Sequence, residues 1–114
     1  MRSFGSDNHS GIHPAVLRAI EAANADHQIA YGDDTYTARA KQLIKQHFGE
    51  SAEPYFVFNG TGANIVALSA CVQSFHSILC AKTAHIAVDE CGAPEFMTHA
   101  ALREIEMPDG KLTP

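Results

Sequence analysis

Basic residues are scarce in this chain and nowhere clustered. Eight Lys and Arg stand against thirteen Asp and Glu, a formal net charge of −5. A nucleic-acid partner requires a concentrated positive patch to displace counterions from phosphates, so that class is set aside. Long apolar runs are also missing. No stretch approaches the roughly 20 residues that span a bilayer, and no membrane partner is expected. The N-terminus shows no basic leader with an apolar stretch and a small-residue cleavage site, so secretion is not expected. Cysteine is sparse: Cys71, Cys80 and Cys91 are odd in number, irregularly spaced and never in a CxxC pair. That usage fits reduced thiols and a cytoplasmic location.

What is present suits one small α/β unit, with 46% hydrophobic residues over 114 positions. Met1 to Gly11 is polar and reads as an extended arm. His13-Pro14 opens a helix, because proline fits the first helical position, and Val16, Leu17 and Ile20 supply its apolar stripe as far as about Ala25. Tyr31 to Asp34 is a loop. Thr35 or Thr37 is expected to cap a second helix carrying Ala40, Leu43, Ile44 and Phe48, with Gly49 as its stop. Tyr55 to Phe58 is apolar at every position, the pattern of a parallel strand buried on both faces. A third helix is expected from about Ala63 through Cys71, then a short strand from Ser77 to Cys80, which makes a βαβ unit. Ile86 to Cys91 reads as a short helix, Gly92 as a break and Leu102 to Met107 as a third strand. Asp109-Gly110 is a turn signal, and Thr113-Pro114 looks like the cap and first position of a helix, as if the chain were cut short.

The segment with most chemistry is Asn59-Gly60-Thr61-Gly62, between the apolar run and the third helix. A helix start offers unpaired N–H groups and the positive end of the helix dipole; glycine admits a phosphate close to the backbone, and Thr61 adds a hydroxyl. No Gly-Lys-Ser/Thr follows, and GxGxxG is absent, so an ordinary strand-to-helix turn stays open as the plainer account. His85 follows the second strand at the C-terminal edge of the sheet, where ligands bind in open α/β sheets, and the Gly60-Thr61 loop leaves the same edge of its own strand. A surface histidine is the alternative. Seven histidines invite a metal site, but His9 and His13 are separated by Gly11, His76 and Cys80 straddle a strand start, and no third ligand is well placed. No metal is expected. Asp33-Asp34 and Asp89-Glu90 suit either acid–base or cation chemistry or solvated turns. Lys82 suits a Schiff base or a surface charge. Nothing resembles a nucleophile elbow.

These pieces occur in one order: Phe4-Gly5-Ser6-Asp7-Asn8, Tyr31-Gly32-Asp33-Asp34, Asn59-Gly60-Thr61-Gly62-Ala63-Asn64, Ala84-His85, Asp89-Glu90-Cys91-Gly92-Ala93-Pro94-Glu95 and Asp109-Gly110-Lys111-Leu112-Thr113. The series resembles the N-terminal part of the threonine aldolase family, pyridoxal-phosphate (PLP) enzymes of the aspartate-aminotransferase fold type, and is most similar to the branch that includes phenylserine aldolase. The resemblance implies a fold type I large domain with helices around a mostly parallel sheet, residues 1–12 forming an arm and 13–114 an incomplete α/β portion. It implies that Gly60 and Thr61 bind the cofactor phosphate. His85 would stack on the pyridine ring and take part in proton transfer, while Ser6 would hydrogen-bond the substrate carboxylate and Tyr31 would lie near the active site at a subunit boundary. The implied reaction is retro-aldol cleavage of a β-hydroxy-α-amino acid to glycine and an aldehyde; a PLP-dependent β-eliminating lyase and a non-catalytic phosphate-ligand module are the alternatives. The implied assembly is a homodimer or homotetramer. None of Lys41, Lys45, Lys82 and Lys111 matches the family's Schiff-base lysine, so the chain is expected to be roughly the first third of such an enzyme, inactive alone.

Overall fold

The computed structural model describes residues 5–113. Part of the expected arm, Phe4 of the opening motif and Pro114 of the expected terminal helix start lie outside the described residues. The chain divides into two compact units between Pro54 and Tyr55.

The first unit is helical. A 3-10 turn, Asp7–His9, replaces part of the expected arm. Helix α1 (Pro14–Ala23) starts where the proline predicts, with His13 Nδ1 accepting the Ala15 N–H at 3.2 Å. Helix α2 (Thr35–Phe48) is capped by Asp34, not by Thr35 or Thr37. The carboxylate outcompetes a threonine hydroxyl because it offers two acceptor oxygens: one takes the Thr37 N–H and the other the Thr37 hydroxyl, both at 2.7 Å. Gly49 ends α2 at φ 100°, and its N–H closes on the Lys45 carbonyl at 2.8 Å.

The cap also titrates. The Thr37 hydroxyl, followed by its N–H, holds the Asp34 carboxyl below its ordinary value of 3.8. An acid whose folded value is depressed stabilises the fold above its unfolded pKa and loses that contribution as pH falls through the folded one. The stability difference between the native protein and Asp34→Asn, which caps without titrating, is therefore expected to hold above pH 3.8 and shrink below it. Urea unfolding at several pH values reads this, and a pH-independent difference counts against it.

The second unit begins with the Tyr55–Phe58 segment, and here the expected strand is absent. The segment is in no ladder among the described residues, bends at Phe58, and is exposed, Phe58 fully so. Strand character needs a neighbour to take the backbone groups, and the one ladder among the described residues lies elsewhere. Helix α3 (Gly60–Cys71) follows, three residues earlier than expected because Asn59 is its N-cap. Strand β1 (Ser77–Ala81), helices α4 (His85–Val88) and α5 (Ala93–Thr98), and strand β2 (Ala101–Ile105) complete the unit. β1 and β2 are parallel, Ser77 opposite Ala101 through Ala81 opposite Ile105. The βαβ unit is thus one element later than the sequence suggests, and its crossover contains α5, which was not foreseen.

The core is small. Ile78 and Cys80 cover one face of β1, while on the other face Ser77 and Leu79 are exposed and only Ala81, at the strand's end, is buried. α3 packs against α5, where Pro94 is fully enclosed and Ala100 follows the helix nearly as deeply. Burial, then the charges of Glu104 and Glu95, push the Cys80 thiol upward; Cys71 and Cys91 are exposed, and all three are free thiols. Thr98, also buried, donates its hydroxyl to the Pro94 carbonyl at 2.6 Å and accepts the Ala100 N–H at 3.2 Å. The Glu95 carboxylate accepts the Leu102 N–H on β2 at 2.8 Å. Ala63, Val66, Ala67 and Ala70 of α3 line, with Tyr55 and Val57, an apolar cleft of about 370 Å³. No described helix is long and apolar enough to cross a membrane.

Candidate functional site

The start of α3 is built to leave donors free. Asn59 Oδ1 accepts the Gly62 N–H at 2.8 Å, and the Asn59 carbonyl accepts the Ala63 N–H at 3.1 Å. The N–H groups of Gly60 and Thr61 then have no partner among the described residues, and neither does the Thr61 hydroxyl. Two N–H groups and one hydroxyl at the positive end of a 12-residue helix are the donor set for an anion with several oxygens. The Gly60 backbone is open: a Cβ added there would meet nothing within 4 Å.

His85 opens α4, just past the C-terminal end of β1. Its Nδ1 lies 2.8 Å from Glu90 Oε1, and its side chain is 63% exposed. The same Glu90 oxygen accepts from Asn64 Nδ2 at 2.6 Å. Asn64 is four residues after Gly60, one turn along α3. The structure thus links the helix of Gly60 and Thr61 to His85 through one carboxylate.

Glu90 is the residue that the sequence undersold. Asp89-Glu90 reads equally as a solvated turn, yet the Glu90 side chain is 0% exposed. The backbone explains it. Cys91 (φ 52°) and Gly92 (φ 72°) are both left-handed, and the Ala93 N–H closes on the Glu90 carbonyl at 2.9 Å, which reverses the chain and turns Glu90 inward. The available signal was the Cys-Gly pair after two acids, which marks a tight turn without saying which acid is enclosed.

Ser6 and Tyr31 lie in the first unit. Ser6 Oγ accepts the Asn8 N–H at 3.2 Å, and its O–H has no acceptor among the described residues. Tyr31 is fully exposed and left-handed (φ 63°), a costly backbone state for a bulky residue. Lys82 Nζ lies 3.7 Å from Glu106, an exposed pair of the kind that contributes little to stability. Among the described residues no three His, Cys, Asp or Glu side chains are grouped to hold a metal ion.

Comparisons with known proteins show which family the chain resembles. The chain is 49% identical over 116 residues to a low specificity L-threonine aldolase of Pseudomonas aeruginosa, covering 99% of the chain and 33% of that relative. It is 49% identical over 114 residues to a low specificity L-threonine aldolase of a Pseudomonas species, with the same coverage. The chain therefore spans about a third of the length of these curated relatives. Its structure matches the threonine aldolase of Leishmania major with a TM-score of 0.82 at 29% identity, over 90% of this chain and 30% of that one. This match bears out the α/β fold class expected from the sequence. The family model for beta-eliminating lyases matches residues 3–114, and the chain belongs to that family.

Proposed function

We propose that this chain is the cofactor-docking portion of a PLP-dependent lyase that cleaves β-hydroxy-α-amino acids to glycine and an aldehyde. The observation that carries the reading is the unpaired donor set at the start of α3, linked through Glu90 to His85. A phosphate monoester fits the Gly60 and Thr61 N–H groups and the Thr61 hydroxyl in number and in charge. PLP, when bound, supplies the electron sink for the pair released from the Cα–Cβ bond. His85, tied to α3 through Glu90 and Asn64, is the ring assigned to the cofactor, with Nδ1 engaged and Nε2 left to hold or move a proton. The Ser6 O–H suits a substrate carboxylate, and Tyr31 is assigned to the active-site boundary. The two Pseudomonas relatives, threonine aldolases by name, support the substrate class. A homodimer or homotetramer in the cytoplasm is the assembly we propose for the complete enzyme.

The name of the matching family supports a second reading, β-elimination. The full-length protein supplied with threonine or phenylserine is expected to release glycine and an aldehyde; pyruvate and ammonia from a β-substituted amino acid instead would select the second reading. The 114-residue chain alone is expected to show neither activity. Borohydride reduction of the chain with PLP, followed by peptide mapping, should leave no specific pyridoxyl-lysine. A single labelled lysine together with turnover would refute the proposal that the chain lacks its Schiff-base residue.

A further inference from the structure

Glu90 is a buried carboxylate that the phosphate and ring assignments do not use. We propose that it is the positioning residue of this site: it holds His85 in the Nδ1–H tautomer, leaving Nε2 as the working nitrogen, and locks that ring to the helix that takes the phosphate. This rests on the reading of the chain as a PLP-docking portion.

The argument is one of donors and acceptors. A buried carboxylate is costly unless hydrogen bonds replace its water. Glu90 Oε1 has two such bonds, from Asn64 Nδ2 at 2.6 Å and with His85 Nδ1 at 2.8 Å. A carboxylate can only accept, and a neutral imidazole donates from one nitrogen and accepts at the other. His85 therefore donates from Nδ1, and Nε2 is left with its lone pair. Nε2 has no partner among the described residues, and the ring is largely exposed. The Asn64 bond adds a geometric constraint. Because Asn64 is one turn from Gly60, a single oxygen sets the spacing between the anion-binding helix start and the histidine. Glu90 Oε2 is buried with no partner among the described residues, so the bonds that hold this side chain all pass through Oε1. The left-handed Cys91-Gly92 turn keeps the carboxylate in place behind the ring.

A knot that only stabilises the fold would make the same contacts, so the test reads the tautomer. In the full-length protein with ¹⁵N-labelled histidine and no cofactor, His85 is expected to carry its proton on Nδ1 at neutral pH. Glu90→Gln keeps the volume, but an amide both donates and accepts and no longer dictates the tautomer. The variant is expected to move His85 toward the Nε2–H form. In the cofactor-loaded enzyme it is expected to lower kcat about 10- to 100-fold, with KM and PLP affinity changed less than about threefold. Two results overturn the proposal: a wild-type His85 already protonated on Nε2, or a folded Glu90→Gln protein with the wild-type tautomer and kcat. The first needs no variant. If the wild-type protein neither binds PLP nor releases an aldehyde, the underlying reading fails, while the tautomer of the cofactor-free protein still decides the role of Glu90.

Discussion

Thr61→Val is expected to weaken PLP binding about 10- to 100-fold while α3 stays in place. The estimate follows from what the hydroxyl does in the protein, which is nothing: Thr61 Oγ1 makes no hydrogen bond among the described residues. Its removal leaves no partner stranded. Valine has nearly the same volume and β-branching, so the first turn of α3 is not disturbed. What is lost is one hydrogen bond to a charged phosphate, worth about 1.5–3 kcal/mol, and each 1.4 kcal/mol is about tenfold in affinity. The two backbone N–H groups remain, so binding is weakened and not abolished. Absorbance titration of the full-length protein with PLP measures the change, and Thr61→Ser should restore most of it. An affinity equal to wild type would remove Thr61 from the site.

Thr98→Val is the second substitution with a large expected effect, this time on stability. Here the hydroxyl is fully used. It donates to the Pro94 carbonyl and accepts the Ala100 N–H inside the core between α5 and β2. Valine fills the space but leaves the N–H of Ala100, a residue only 1% exposed, without its acceptor. A stranded buried donor costs about 1–3 kcal/mol. Urea unfolding should show the midpoint falling with little change in slope, and Thr98→Ser should recover most of the loss. A midpoint within error of wild type would mean that water reaches Ala100 and that the contact is not sealed.

The contrast between these two threonines shows what could be read in advance. Thr61 was legible because its surroundings are local: an apolar run, a Gly-Thr-Gly loop and a helical pattern follow one another, and the cap and free donors come from residues within four positions. α1 and α2 were legible for the same reason, through Pro14, the Asp34–Thr37 region and Gly49. Tyr55–Phe58 was misread because composition reports what a segment would bury, whereas a strand exists only with a neighbour, and none pairs with it among the described residues. α5 escaped because six residues are too few for a periodic stripe; Pro94 and Glu95 in its first turn were the available marks. Glu90 escaped because its value depends on Asn64, 26 positions away. Nothing local separates a carboxylate that stays in water from one that closes such a distance.

The bond from Glu95 to β2 shields part of one edge of the sheet. In a parallel strand, backbone groups alternate from side to side. The Ile105 carbonyl faces β1, where it accepts the Lys82 N–H, so the Leu102 N–H, three residues earlier, faces away. That outward donor is already taken by Glu95. A carboxylate laid along the rim blunts it as a template for another backbone, a common protection for an edge. On the far side of β1 the outward Ala81 carbonyl is likewise taken, by the Ala84 N–H at 2.8 Å. Each flank thus has one outward group capped from within the unit, and the Leu79 groups on β1 and the Glu104 groups on β2 are the ladder positions left without a partner among the described residues.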